Sequence, residues 1–284
     1  MQLDLFLDNR RTILENAADE HLRNLNLKQA IALYEQIRTQ APDDPTVSSA
    51  KSAMEAWRQR LDQFHSSTSG IGRIHRLYGH LSNPAPAALL KGVHSFIIDQ
   101  LLMEESPELI FVPPRFHIGR ILLDAGLPVE AEKWFFLALD SGIAERGRFL
   151  AWLGDALAVA GDNESARECY LAAFLEDPLG VDVSGLRDDA VRALLVELEE
   201  EGIAEEDTVH WVPVWGWLKG LFGLETSQIF SGEISQSRQW FECLGQAERL
   251  RTEVRDDTEL LRVRRKMKEL SPLLFTRYME KISG

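Results

Sequence analysis

The side chains that could bind a metal ion or act as general bases are scattered along this chain. Its seven histidines include one close pair, His75 and His80, and five positions separate the two. A helical metal site needs ligands three or four residues apart and a third ligand nearby. The sequence contains no HExxH motif and no GxSxG motif. We therefore predict no metal, no other cofactor and no catalytic residue, and we expect that the protein is not an enzyme.

Charged residues are distributed unevenly. The 284-residue chain has a net charge of −14, which disfavours nucleic acid and anionic membranes as partners of the whole molecule. An acidic run covers 197–207, whereas 249–284 holds ten Lys or Arg against six Asp or Glu. The basic residues cluster at Arg262, Arg264, Arg265, Lys266 and Lys268. Contact of this cluster with the acidic run, or with nucleic acid, is an alternative to simple solvation.

Hydropathy and cysteine content indicate a cytoplasmic protein. The N-terminus lacks the basic start and long apolar run of a secretory signal. The longest apolar window, Trp211–Leu224, contains Pro213 and Lys219 and is too short to span a bilayer. Cys169 and Cys243 are expected to be buried free thiols in a reducing compartment. We expect no membrane partner.

The clearest structural pattern covers 147–180 and predicts two antiparallel helices. Gly154 and Ala158 are small enough to let the two helix axes approach closely. Gly161 can adopt the left-handed conformation that ends a helix, and Asn163 can cap the next one. Pro178 then ends the second helix.

This pattern resembles the tetratricopeptide repeat, a helix–turn–helix unit of about 34 residues. The matching positions are Leu150, Leu153, Gly154, Leu157, Ala166, Tyr170, Ala173 and Pro178. The chain departs from the family where Leu150 replaces the usual Trp and Leu157 the usual Tyr. The resemblance is clear over 112–180, since Gly119, Leu122, Gly126, Ala131, Phe135 and Ala138 repeat the pattern 35 residues earlier. It is partial over 11–44.

The predicted architecture is all-α. The resemblance implies a solenoid of helical hairpins in a right-handed superhelix, with extra capping helices at the C-terminal end. We expect an N-terminal hairpin module over 1–64 with one partial repeat, a linker over 65–72, and a repeat-containing body over 73–232. That body holds repeats 112–146 and 147–180 and a degraded unit at 186–224. A C-terminal helical cap follows over 233–284.

Helix boundaries are predicted from proline, glycine and capping residues. Asp44-Pro45 and Asn83-Pro84 are expected to start helices, and another is expected over about 114–125. Phe111-Val112-Pro113 and Trp211-Val212-Pro213 are similar tripeptides, so each is expected to precede a second helix.

The resemblance implies a binding groove lined by the first helix of each repeat. The register assigns Phe116, Arg120 and Asp124 to one repeat, and Arg148 and Asp155 to the next. This mixed groove would suit a peptide with an acidic or aromatic element. The predicted function is a non-catalytic scaffold or adaptor that binds a protein or peptide partner.

Three alternatives stay open. The protein could be a regulatory subunit of a nucleic-acid-associated complex that docks through the basic C-terminal helix, or a helical enzyme with an unrecognised site. It could also self-assemble as a homodimer through Trp211, Trp215 and Trp217, which lie close enough together for an interface anchor. Core packing is the simpler interpretation of these tryptophans.

Overall fold

Helices form the regular structure of the chain. A computed structural model describes residues 2–66, 70–224, 235–253 and 257–283, and within them no strand is present. The predicted all-α class is thus confirmed at this level. The chain divides into two compact units, Met1–Leu127 and Pro128–Gly284. The boundary falls within the predicted repeat 112–146, and the predicted linker 65–72 lies in the first unit, where 67–69 are outside the described residues.

The described residues of the first unit form six α-helices. They are α1 (Gln2–Arg23), α2 (Leu27–Gln40), α3 (Pro45–Ser66), α4 (Ile71–Tyr78), α5 (Ala87–Leu101) and α6 (Ile118–Asp124). Asp44 starts α3 as the sequence predicts, because its Oδ1 accepts the backbone N–H of Thr46 at 2.9 Å. The Thr46 hydroxyl and N–H hold the pKa of Asp44 at about 2.

Helix α5 passes very close to the end of α1. A Cβ atom at Gly92 would lie 2.6 Å from the carbonyl oxygen of Leu22 and 2.7 Å from that of Arg23. These backbone oxygens cannot move aside as a flexible side chain could, so the packing of α5 on α1 requires a residue without a side chain at this position.

Two helices of the first unit begin later than the sequence predicts. Residues 114–117 are not helical, because Val112 and Phe116 exchange two backbone hydrogen bonds of 3.0 Å and close a tight loop around Pro113-Pro114. Likewise α5 begins at Ala87, and the extended Pro86 occupies its N-cap position. In both segments proline lies before the helix and not in its first turn.

Eight α-helices lie in the part of the second unit that the structure describes. They are α7 (Pro128–Asp140), α8 (Arg146–Ala160), α9 (Asn163–Glu176), α10 (Asp189–Glu200), α11 (Glu205–Leu218), α12 (Gln236–Glu253), α13 (Asp257–Leu270) and α14 (Pro272–Ser283). Gly161 ends α8 with φ of 93°, as predicted. Asp162, and not Asn163, caps α9, since its carboxylate accepts the N–H of Ser165 at 3.2 Å.

Helices α8 and α9 pack as closely as the small residues predict. A Cβ atom at Gly154 would lie 2.9 Å from Cε1 of Tyr170 and 3.1 Å from the carbonyl oxygen of Ala166. Gly154 is the glycine of the repeat pattern. Ala166 and Tyr170, which it contacts, are also positions of that pattern, and both lie on α9.

The expected break at Trp211-Val212-Pro213 does not occur. Pro213 lies inside α11, which is continuous from Glu205 to Leu218. The helix begins with Glu205, Glu206 and Asp207, whose charges favour its N-terminus. Trp211, Pro213 and Trp215 are buried, and this tertiary packing offsets the cost of an internal proline.

Hydrogen bonds from aromatic side chains connect α12 to both α13 and α14. The indole N–H of Trp240 donates to the carbonyl oxygen of Met267 at 3.0 Å. The hydroxyl of Tyr278 donates to Glu248 at 3.0 Å. Trp240, Met267 and Tyr278 are all fully buried, so they form the centre of this part of the second unit.

We expect Gly92→Ala to destabilise the protein by about 1–3 kcal/mol, because the added methyl group overlaps two backbone carbonyls. Gly72→Ala is the matched control, since a Cβ there has no atom within 4 Å and lies in a helix of the same unit. Urea denaturation followed by far-ultraviolet circular dichroism measures both. Equal stability of the two variants would show that α5 does not need this close approach.

Candidate functional site

The five predicted groove residues are divided between the two units, and three of them are interior. Phe116 is 1% exposed, Arg120 2% and Asp155 1%. Asp124 is exposed and forms an ion pair with Arg120 at 3.2 Å. Arg148 is half-buried and forms an ion pair with Glu145 at 2.6 Å. The structure therefore places most of this set inside the protein and not along an open surface.

Helix α8 is covered on every side over its middle portion. All residues from Phe149 to Leu157 are buried. A helix that is apolar around its whole circumference is expected in a core. Part of the signal is in the sequence, where Phe149, Leu150, Trp152 and Leu153 make one half of the helix apolar. The burial of Asp155 on the other half could not be read from it. The repeat register assigns a groove to this helix, whereas the side chains around it are buried.

Asp155 connects three elements of the second unit. Its Oδ1 accepts the hydroxyl of Tyr170, on α9, at 2.8 Å and the backbone N–H of Arg187 at 2.9 Å. Arg187 lies directly before Asp188, which caps α10 by accepting the N–H groups of Ala190 and Val191. Burial raises the pKa of Tyr170, and the Asp155 carboxylate raises it further. The carboxylate therefore positions helices.

His117 is also a buried ionisable group with a structural role. Its Nδ1 accepts the N–H of Gly119 at 3.0 Å, which caps α6, and its Nε2 lies 3.0 Å from the carbonyl oxygen of Glu108. The Nε2 nitrogen must carry the proton if both hydrogen bonds form. Burial lowers the pKa of His117 to about 4, so the ring is neutral at pH 7. Both ring nitrogens are engaged with the backbone.

The tryptophan segment packs within the second unit. Trp211 and Trp215 are buried, and the indole N–H of Trp215 donates to Glu197 at 2.9 Å. The ring of Trp217 lies 6.1 Å from that of Tyr278, on α14. The three tryptophans thus occupy intramolecular positions, which agrees with the core interpretation.

Four of the five residues of the basic cluster of α13 face solvent, whereas the half-buried guanidinium of Arg264 lies over the ring of Tyr278. Arg262, Arg265, Lys266 and Lys268 are exposed, together with Leu261. Contact of this cluster with the acidic run is one open alternative. The ion pair that the structure shows is made by a residue outside the cluster, since Arg277 of α14 pairs with Glu201 at 2.6 Å. In the part of the chain that the structure describes, Arg265, Lys266 and Lys268 have no ion-pair partner. Their face is therefore free to contact a negatively charged molecule.

The first unit contains an open groove that sequence reasoning missed. Its volume is about 530 Å³. Small and apolar residues of α3 form one wall, the segment before α5 forms another, and Tyr34 of α2 and two residues of α1 complete it. The lining residues are Arg11, Glu15, Tyr34, Pro45, Thr46, Val47, Ser49, Ala50, Ala53, Pro84, Ala85 and Pro86.

The charged groups of this groove are paired with one another. Arg11 donates to Glu15 at 2.8 Å and to Asp44 at 2.9 Å. Burial raises the pKa of Tyr34. Its hydroxyl has no hydrogen-bond partner among the described residues. A volume of this size with mostly apolar walls and a few polar groups is typical of ligand sites. No single sequence segment could have revealed it, because four separate segments contribute to its walls.

The fold and the groove define an all-helical protein with a candidate binding surface in its first unit. Among the described residues, none of the helices combines the length and the apolar character needed to cross a membrane. Comparison with family models, with curated proteins and with solved structures gives no match to this chain. The tetratricopeptide resemblance therefore stays a prediction from the residues.

We expect Tyr170→Phe to destabilise the protein by about 1–3 kcal/mol, because the buried Asp155 carboxylate loses a hydrogen-bond donor. Tyr34→Phe is the matched control, since its hydroxyl has no partner in the described part of the chain. Thermal and urea unfolding of the two variants give the comparison. If Tyr170→Phe is as stable as the control, the hydroxyl is not needed to hold the helices.

Proposed function

We propose that the protein is a non-catalytic interaction scaffold whose first unit binds a protein or peptide partner in the groove between α3 and Pro84-Ala85-Pro86. The single observation that carries the proposal is this groove, with its apolar walls and its mutually paired charges. A groove formed by packed helices loses little conformational freedom on binding, so the bound segment bears most of the ordering cost.

The framework we propose is built from tetratricopeptide-like hairpins. The close contact of Gly154 with Tyr170 and Ala166 supports this for α8 and α9. A continuous right-handed superhelix is the larger arrangement that the resemblance implies. We propose a cytoplasmic location, which is supported by two cysteines without a disulfide. Burial raises the pKa of the half-buried Cys169 to about 12, so its thiol is protonated at neutral pH.

The chemistry of the groove favours a partner segment with an aromatic or large aliphatic anchor. Val47, Ala50 and Ala53 leave space beside α3 because two of the three are alanines. Pro84 and Pro86 present rigid rings that pack well against an aromatic side chain. The Tyr34 hydroxyl can then bind a backbone carbonyl of the same segment.

The test is selection of binders from a displayed library of random peptides. We expect selected peptides to share an aromatic or aliphatic anchor and to bind Ala50→Arg at least ~10-fold more weakly than the wild type, since a charged side chain would fill the groove. Ser52→Arg adds the same side chain to the same helix at an exposed position outside the groove and should bind normally.

Fluorescence polarisation with labelled peptides gives the affinities, and circular dichroism establishes that both variants are folded. Peptides that bind Ala50→Arg as tightly as Ser52→Arg would show that the groove is not the site. A selection that enriches no sequence would count against peptide binding by this unit.

A second candidate function is docking to nucleic acid through α13. The observation that favours it is the exposed face of Arg262, Arg265, Lys266 and Lys268 in a chain of net charge −14. Phosphate groups attract such a face, and binding of this kind weakens steeply as salt rises. Leu261, which lies among the basic residues, adds an apolar contact.

This candidate predicts binding of single-stranded RNA or duplex DNA at low salt. We expect Arg265→Glu/Lys266→Glu to reduce the slope of the logarithm of the binding constant against the logarithm of the salt concentration by about 2. Lys28→Glu/Lys91→Glu makes the same change in net charge at exposed residues of the first unit and should leave the slope unchanged. Fluorescence anisotropy measures both. No binding at low salt, or equal loss in the two double variants, would remove the candidate.

A further inference from the structure

Helix α7 has two apolar faces. Ala131, Phe135 and Ala138 form the inner face, and the ring of Phe135 lies 5.9 Å from that of Trp152, on α8. The outer face carries Val129, Phe136 and Leu137, which are 51%, 56% and 45% exposed. Three large apolar side chains on the solvent face of one short helix indicate an interaction surface.

Two charged residues complete this outer face. Lys133 and Asp140 are exposed, and neither has an ion-pair partner among the described residues. Each lies three positions from the apolar pair, Lys133 before Phe136 and Asp140 after Leu137. Residues at these spacings project from one side of a helix. The outer face is therefore an apolar pair flanked by one positive and one negative charge.

We propose that this face binds a second copy of the chain, with the two α7 helices antiparallel about a twofold axis between Phe136 and Leu137. Such an axis brings each residue of one α7 against the residue of the partner's α7 that lies at the same distance on the opposite side of the axis. Phe136 meets the partner's Leu137, and Lys133 meets the partner's Asp140. The symmetry produces each contact twice, so the two apolar pairs lie between two ion pairs.

Charge complementarity favours a second copy in the antiparallel orientation. A parallel copy would place Lys133 beside the partner's Lys133 and would bring like charges together. In the antiparallel arrangement Lys133 and Asp140 neutralise each other across the interface, and no other charged residue is needed. One helix face buries less than the ~800 Å² per partner that is usual for standard interfaces. We therefore expect a reversible dimer with a dissociation constant on the order of micromolar.

Sedimentation equilibrium of the full chain over a range of concentrations tests the inference. We expect Lys133→Asp and Asp140→Lys each to weaken the dimer by about 10-fold, because each turns two attractions into two repulsions. The double variant Lys133→Asp/Asp140→Lys should recover the wild-type constant. Only reciprocal contact between the two positions predicts this recovery.

Phe136→Glu should abolish the dimer, because it places charges beside the twofold axis. Val196→Glu is the matched control, since Val196 is 56% exposed on α10 and lies outside the proposed interface. All the substituted side chains are exposed, so circular dichroism should show unchanged folding. A wild-type protein that stays monomeric, a dimer that tolerates Phe136→Glu, or a double variant as weak as the single variants would each overturn the proposal.

The dimer and the groove are independent of each other. The groove belongs to the first unit and α7 to the second. We therefore expect Ala50→Arg to leave the dissociation constant of the dimer unchanged. We likewise expect Phe136→Glu to leave the affinity of the first unit for peptides unchanged. Either proposal can fail while the other holds.

Discussion

The close approach of α8 and α9 at Gly154 determines much of the second unit. Because position 154 has no side chain, the ring of Tyr170 lies against the backbone of α8. The tyrosine hydroxyl is then 2.8 Å from the carboxylate of the neighbouring residue, Asp155. That carboxylate also accepts the backbone N–H of Arg187, which fixes the start of α10. One missing side chain thus sets the positions of three helices through a buried carboxylate.

This packing decides where a partner can bind. A helix buried along Phe149–Leu157 has no surface to offer a peptide, although the repeat pattern assigns that role to it. Apolar surface is instead exposed on α7 and in the groove beside α3. Exposed apolar patches of this kind are unusual on a monomer unless they serve an interaction. The candidate surfaces therefore lie outside the first helix of each repeat, to which the resemblance assigns the groove.

The sequence predicted the helices well where turns are local. The stretch Asn24–Asn26 separates α1 from α2, and Gly161-Asp162 separates α8 from α9, because such residues favour turns whatever surrounds them. Local sequence signals predicted helix boundaries wrongly where contacts between distant residues determine the conformation. Residues 114–117 pair backbone groups with Val112, and Pro213 stays helical within buried packing. The groove was not predictable, since Tyr34, Ala50 and Pro86 come together only through tertiary structure.

The ionisable groups of the interior have a different role from those of the surface. Asp155 and His117 are buried, and both use their polar atoms on the chain's own backbone or on Tyr170. Enzymes generally keep such groups available for substrate in a cleft, with the perturbed pKa directed to chemistry. Here the buried groups cap or position helices, while alanine and proline in the groove, and phenylalanine and leucine on the α7 face, supply apolar surface beside a few charged groups. This division supports the proposal that partners are bound by surface side chains and not by the buried ionisable groups.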